Sequence, residues 1–217
     1  MTIAVVTAIF DNYDVLHPMR WKGIQEAVCV TDNPQLKAEG WKTVVKSRPP
    51  GETGRMACKH PKCFPWSYCV SLHTHYITLD GAMDLKDVEV DVRDLLPHHA
   101  LISQWPNMYR ECPYAEGIVS RDIDKYKHDR LDEQMAFYQS EGLPPSSGLW
   151  SCGLIIRRDN PIVREFEATW YQEIQRWGVQ DQVSHAYAAW KTGIKPHTIR
   201  EGTVVENELV TWRGHIA

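Results

Sequence analysis

A chain of 217 residues, 43% hydrophobic and 24% charged, can bury a full core, which excludes intrinsic disorder. Its net charge of -4 and lack of a basic run exclude tight, salt-driven binding to duplex nucleic acid, though not brief contact with a nucleic-acid substrate. The opening Met1-Thr2-Ile3-Ala4-Val5-Val6 has no basic n-region or long apolar h-region, no apolar stretch reaches bilayer length, and the six cysteines are mostly isolated. The expectation is a cytoplasmic protein with no membrane partner.

In chain order, residues 3–9 read as a buried strand, and residues 27–31 as a second that ends in the turn signal Asp32-Asn33-Pro34. Residues 41–45 alternate as a third strand, and Pro49-Pro50-Gly51 breaks the chain. Residues 55–68 suit a helical region interrupted by Pro61 and Pro65. The strand at 76–79 runs straight into Asp80-Gly81, which presents a carboxylate where the backbone leaves the sheet. A helical turn at 92–96 and a strand at 101–104 follow, then helices within 114–141 and a strand at 154–156.

Asn160-Pro161 opens a helix, with Asn as N-cap and Pro at the first position. Val163, Phe166, Trp170, Ile174 and Trp177 line one face of it. Asp181-Gln182 opens another helix, with Val183, Ala186, Tyr187 and Trp190 on its apolar face. A last strand is expected at 203–205, before a polar tail with Trp212 and His215. Strands alternating with helices give an α/β fold in one domain, 1–217.

Several ordered segments resemble the TOD1/MUCI70 glycosyltransferase-like family. Thr7-Ala8-Ile9-Phe10-Asp11-Asn12-Tyr13-Asp14 is similar to its opening motif, and Cys29-Val30-Thr31-Asp32 and Gly40-Trp41-Lys42 to the next two. Arg55 with Lys62 and Phe64-Pro65-Trp66, then Leu79-Asp80-Gly81, continue the likeness. So do Arg110, Cys112, Tyr114 and Glu116, then Gln134 to Pro144, Gly148-Leu149, Gly153 to Arg157, and Asp181-Gln182-Val183-Ser184. The resemblance implies a GT-A-like fold: a Rossmann-type mixed sheet flanked by helices. A nucleotide-sugar-binding half of about 1–100 would be joined to an acceptor half of about 101–217. It implies a nucleoside-diphosphate sugar donor and transfer to a hydroxyl. Trp66, Trp105-Pro106 and Gln180 depart from the family pattern.

Glycosyl transfer needs the nucleotide held, the departing diphosphate neutralised and the acceptor hydroxyl placed in line. By the resemblance, backbone groups of Thr7, Ala8 and Phe10, just after the first strand, together with Tyr13, meet the nucleobase. Asp32 accepts from base or ribose, or else makes a turn with Asn33. Arg55 and Lys62 reach phosphate, Arg55 as a fork, unless both are plain surface charge. Asp80 with Gly81 holds a divalent cation, Mn2+ or Mg2+, or the ribose. The second acid of an Asp-x-Asp pair is replaced by Ala82, with Asp84 as substitute only if the turn bends suitably.

His215 is the candidate distant metal ligand. Asp181, with Gln182, is the catalytic candidate, orienting the sugar or deprotonating the acceptor, and Glu116 is a second candidate. Gly153 lets backbone approach the sugar, and Trp150 stacks on the acceptor or sits in the core. Cys58-x-His60-x-x-Cys63 lacks a clean zinc spacing, and His73-x-His75 reads as a surface or partly buried pair.

The reading is a compact bacterial or bacteriophage-type enzyme whose acceptor is a polysaccharide, a protein or, by DNA modification, a hydroxylated DNA base. The alternatives are a catalytically silent nucleotide- or sugar-binding module and, more remotely, a metal hydrolase on the histidines.

Overall fold

The computed structural model describes residues 1–215. Its main strands are β1 (Ile3–Ile9), β2 (Glu26–Thr31), β3 (Lys42–Val45), β4 (His75–Asp80), β6 (Ile102–Pro106), β7 (Trp150–Arg158) and β8 (His197–Thr198). They form one seven-stranded sheet in the order β3-β2-β1-β4-β7-β6-β8. β1, β2, β3 and β4 run parallel, while β7 is antiparallel to both β4 and β6. A smaller antiparallel pair joins β5 (Met83–Leu85) to β9 (Val210–Trp212). The fold is thus α/β, a mixed sheet flanked by helices.

Alternation along the strands divides the core into two layers. Val5, Ile77, Leu79, Leu154 and Ile156 pack on one face against Leu95, Leu96 and Trp105. Ile102 and Ile155 point to the other face, against Val163, Phe166, Trp170 and Ile174 of α6 (Pro161–Trp177). Asn160 caps α6 by accepting from the Ile162 N–H at 2.9 Å, and its five apolar residues at helical spacing are all buried. α7 (Asp181–Thr192) packs on α6 and ends at Gly193, whose φ of 71° is the left-handed C-cap conformation.

The remaining helices are short. Residues 54–68 form α1 (Gly54–Ala57), α2 (Lys59–Cys63) and a 3-10 turn at Pro65–Tyr68. Pro61 is tolerated because it lies in the first turn of α2, where its missing N–H would have no helical partner. α3 is Val92–Leu95, and the charged middle segment supplies α4 (Pro113–Ser120) and α5 (Leu131–Ser140).

The strand expected at 203–205 is a turn instead, closed by the Thr203 N–H on the Glu206 carbonyl at 2.9 Å. The actual late strands, β8 and β9, have two and three residues, too few for a period-2 pattern to register. No helix among the described residues is long and apolar enough to cross a membrane.

One feature of the strand order positions the site. From β1 the chain winds outward to β2 and β3, then crosses back to place β4 on the other side of β1. The carboxyl ends of β1 and β4 therefore flank the reversal of strand order, where open α/β sheets leave a crevice for ligands.

Candidate active site

The crevice is present as a cleft. Ala8 of β1, Asp80 and Gly81 at the end of β4, and Cys152 and Gly153 of β7 form its floor. Arg55 of α1, Lys59 and Lys62 of α2, and Lys125 line it with four cations. Asp181 and Gln182 enter from the N-terminus of α7, and Tyr13, Asp14 and His215 close one side. Gly81 has no room for a side chain: a Cβ would sit 2.6 Å from Ile9 Cγ1 and 3.1 Å from Asp14 Cβ.

Lys62 is the electrostatic centre. Its Nζ lies 2.8 Å from Asp80 Oδ1 and 3.0 Å from Asp181 Oδ2, and Lys59 Nζ lies 2.6 Å from the same Asp181 oxygen. The i,i+3 spacing on α2 turns both amines to one side. Burial alone would raise the Asp181 pKa, but Lys59 and Lys62 outweigh it and hold the carboxyl well below the usual carboxylate range. Burial likewise works against the Lys62 ammonium, and Asp181 and Asp80 reverse this and raise its pKa well above the ordinary lysine value.

The signs fix a pH window. The depressed Asp181 contributes stability above its unfolded pKa of about 4 and loses it only as pH falls through the lower folded value. The raised Lys62 contributes below its unfolded pKa of about 10.4 and loses it as pH rises through the higher folded value. Urea unfolding should therefore give a stability difference between wild type and Asp181→Asn that is flat from about pH 5 to pH 10. A break near neutrality would contradict these pairings.

Lys62 is also held from behind. Arg157, 1% exposed on β7, donates from Nη1 to the Lys62 carbonyl at 3.0 Å, and it pairs with the fully buried Glu167 and with Thr78 Oγ1.

The N-terminus of α7 is set by a polar network. Gln180 is the N-cap: its Oε1 accepts from the Gln182 N–H at 2.8 Å and the Val183 N–H at 3.3 Å. Its Nε2 donates to Glu116 Oε1 at 3.0 Å and Ser120 Oγ at 2.9 Å. Arg110 Nε donates to Glu116 Oε2 at 2.5 Å. Asp129 accepts from the Gln180 N–H at 2.7 Å, and Trp170 Nε1 donates to the Asp181 carbonyl at 2.9 Å. Gly178, with φ of 143°, has Asp129 where a Cβ would stand, 2.1 Å away. Gln180→Ala should cost about 0.5–2 kcal/mol as a lost cap, read as a lowered denaturation midpoint. An unchanged midpoint would count against the network.

Of the residues singled out in the sequence, Ala8, Tyr13, Arg55, Lys62, Asp80, Gly81, Gly153, Asp181, Gln182 and His215 all line this cleft. Arg55 stacks over Tyr13 with its Cζ 4.7 Å from the ring centroid and donates from Nη2 to the Tyr13 hydroxyl at 2.7 Å. Four others lie outside the lining. Thr7 is within β1, its backbone in register with β2 and β4, and its hydroxyl donates to the Leu79 carbonyl at 2.9 Å. Phe10 is buried against Val28, Val30 and Ala57. Glu116 is buried in the Gln180 network.

Asp32 borders a separate shallow depression with Arg48 and Glu52. Its Oδ2 takes Arg48 Nε at 2.7 Å and its Oδ1 takes the Asp11 N–H at 3.0 Å. The Asx turn belongs to Asn33, whose Oδ1 accepts from the Gln35 N–H at 2.8 Å.

The structure decides the remaining sequence readings, and only the surface placement of the two histidines is corrected. Trp150 is a core indole donating to Thr198 Oγ1 at 3.2 Å. His73 and His75 are both buried and engage different partners, Glu26 and Arg158. Cys58, His60 and Cys63 do not converge: Cys58 donates to the Ala8 carbonyl, His60 meets Tyr68, and Cys63 is in the core. Sequence reasoning missed Lys59 and Lys125. The spacing of Lys59 to Lys62 was a visible signal for the first.

Asp80 and His215 are the metal candidates. Asp84 points away, with Oδ2 taken by Arg213 Nη2 at 2.9 Å. Among the described residues no three carboxylate, imidazole or thiol donors converge in the cleft. The donor set still fits a hard cation that also takes phosphate oxygens. Asp80 uses Oδ1 for Lys62, and His215 uses Nδ1 for the buried Asp14 at 2.9 Å. A carboxylate on Nδ1 fixes the tautomer that leaves Nε2 with its lone pair.

Comparison with known proteins gives the cleft a context. The chain is 25% identical over 221 residues to a probable hexosyltransferase, MUCI70, of Arabidopsis thaliana, with 89% of this chain covered. It spans 38% of that relative's length. The apo crystal structure of mouse xyloside xylosyltransferase 1 resembles it with a TM-score of 0.45 at 12% identity, over 91% of this chain and 84% of that one. Residues 21–206 match the family described as TOD1/MUCI70, glycosyltransferase-like domain, so the chain that carries this lysine-bridged carboxylate pair belongs to that family.

Proposed function

We propose that the chain is a glycosyltransferase that moves a sugar, a hexose or a relative of one, from a nucleoside-diphosphate donor to a hydroxyl acceptor. The observation that carries this reading is Lys62, held between Asp80 and Asp181 at the carboxyl ends of β1 and β4 with Arg55, Lys59 and Lys125 around it. A diphosphate leaving group needs that concentration of positive charge, since the bond to the sugar breaks with negative charge accumulating on phosphate oxygen. The first hundred residues supply most of this donor site, and the remainder supplies Asp181, Gln182 and the acceptor side.

Asp80 and His215 would hold a divalent cation, Mn2+ or Mg2+, whose contribution when bound is to neutralise diphosphate charge. The chain's own lysines share that task. Asp181, kept ionised by Lys59 and Lys62, is a weak base, which favours an electrostatic role beside the developing cationic sugar carbon over proton abstraction. Gln182, fixed by Asn107 Nδ2 at 2.7 Å, stands next to it to orient the sugar. Glu116 acts as a positioning residue through Gln180. Acceptors to screen are polysaccharide and protein hydroxyls and, for a phage-type DNA-modifying role, hydroxylated DNA bases. The negative net charge favours the first two.

A silent nucleotide-binding module is the second reading, favoured by Ala82 in place of an acid and by Asp84 turned to Arg213. A thermal-shift screen of nucleoside diphosphates and nucleotide sugars, with and without Mn2+, tests donor binding. Ligand at a hundred times its Kd should add about 2.7 kcal/mol, a rise of several degrees for a domain this size. The rise should shrink in Asp80→Ala. No shift with any nucleotide would remove the donor-site reading.

A further inference from the structure

Three potential metal donors meet at the amino-terminal end of the sheet, the end opposite the cleft. Glu26 opens β2, Cys69 follows the 3-10 turn, and His73 precedes β4. One ligand atom from each lies within 4.8 Å of the other two. His73 Nε2 stands 3.0 Å from Glu26 Oε2, with the two side chains 7% and 13% exposed. Within the same imidazole, Nδ1 is buried without a hydrogen-bond partner. A buried imidazole nitrogen left unpaired is costly.

We propose that Glu26, Cys69 and His73 form a binding site for one borderline divalent transition-metal ion, Zn2+ by its chemistry, with a fourth position left for water. One thiolate, one imidazole and one carboxylate is a mixed S, N, O set that suits Zn2+ and is wrong for Mg2+ or Ca2+, which take oxygen. The site therefore differs in chemistry as well as place from the cleft. The three atoms are close enough that modest side-chain rotation brings them to bonding distance.

Glu26 can serve a metal while keeping its present contacts. The Val70 N–H approaches its two oxygens at 2.8 and 3.1 Å, and a carboxylate has about four lone-pair positions. That N–H orients the carboxylate as an outer-shell partner does. Lys42 Nζ, 4.0 Å from Glu26 Oε1 and half exposed, is free to swing to solvent. A simple loop clamp accounts for Glu26, Val70 and His73, and the Cys69 thiol donates to the Pro65 carbonyl at 3.6 Å, but the orphaned His73 nitrogen is left without a reason. When the ion binds, the thiol S–H bond breaks, its proton goes to solvent and the sulfur–metal bond forms, so one proton is released per ion from Cys69. The ion would tie the loop carrying the exposed Val70 and Leu72 to the start of β2.

Titration of the chelator-treated, reduced full chain with Co2+ tests this. Thiolate-to-cobalt absorption in the near ultraviolet should grow to one ion per chain and be bleached by Zn2+. Cys69→Ser should abolish the thiolate band, and His73→Ala should weaken binding by at least about tenfold. Glu26→Gln, which keeps the side-chain shape, covers the case in which His73→Ala misfolds, and it should also weaken binding. Asp80→Ala should leave the thiolate-to-cobalt band intact. No thiolate band in wild type, or a band that survives Cys69→Ser, would overturn the assignment. So would a band lost in Asp80→Ala with folding unchanged.

Discussion

Replacing Asp181 by asparagine is expected to lower kcat for sugar transfer about 10²- to 10³-fold, the usual size of a lost electrostatic contact to a transition state. Asparagine keeps the shape, and the backbone carbonyl still accepts from Trp170. Lys62 retains Asp80 at 2.8 Å, so donor diphosphate should still bind. The signature is therefore a fall in kcat with a small change in donor KM. Steady-state release of nucleoside diphosphate measures both. A loss confined to KM would move Asp181 from the reacting carbon to simple donor binding, and wild-type kcat in the variant would remove it from the chemistry.

Arg157→Met should destabilise the protein by about 3–5 kcal/mol, because it leaves the fully buried Glu167 carboxyl without its partner. Burial already pushes the Glu167 carboxyl up to about 8, with Arg157 opposing the shift. At about 2–4 °C per kcal/mol for this size, the midpoint should fall by roughly 6–20 °C. The double variant Arg157→Met with Glu167→Leu should recover much of that stability, since apolar replacements of a buried pair are often neutral or better. Donor affinity should not return with it, because the Lys62 carbonyl has lost its anchor at 3.0 Å. Recovery of both properties together would show that Arg157 is only a core residue.

The elements with strong local signals were legible in the sequence. β1 and β4 are short runs dominated by apolar and β-branched residues, and α6 combines an Asn-Pro start with five apolar residues on one face. Asp80 was legible as an acid at a strand end, and the family likeness pointed to Asp181. The partners of these acids were not. Lys59 and Lys62 meet Asp181 across about 120 positions of sequence, and Arg48 takes Asp32 only because β3 lies beside β2. Glu116 reads as a solvated helix acid until Gln180 and Arg110 are seen to enclose it. The departure at Gln180 became intelligible in the same way: an amide can cap α7 through its oxygen and bind Glu116 through its nitrogen. β8 and β9 escaped because two or three residues carry no period.

The central claim, that the lysine-bridged carboxylates form the reaction centre of a nucleotide-sugar transferase, is tested most directly by one assay. Wild type and Asp181→Asn are incubated with a panel of nucleoside-diphosphate sugars and Mn2+, and nucleoside diphosphate release is measured alongside donor binding. The account predicts that wild type turns over at least one donor and that the variant binds the same donor with little release. Binding without release by wild type, across every donor and acceptor mixture, would contradict it and leave a nucleotide-binding module.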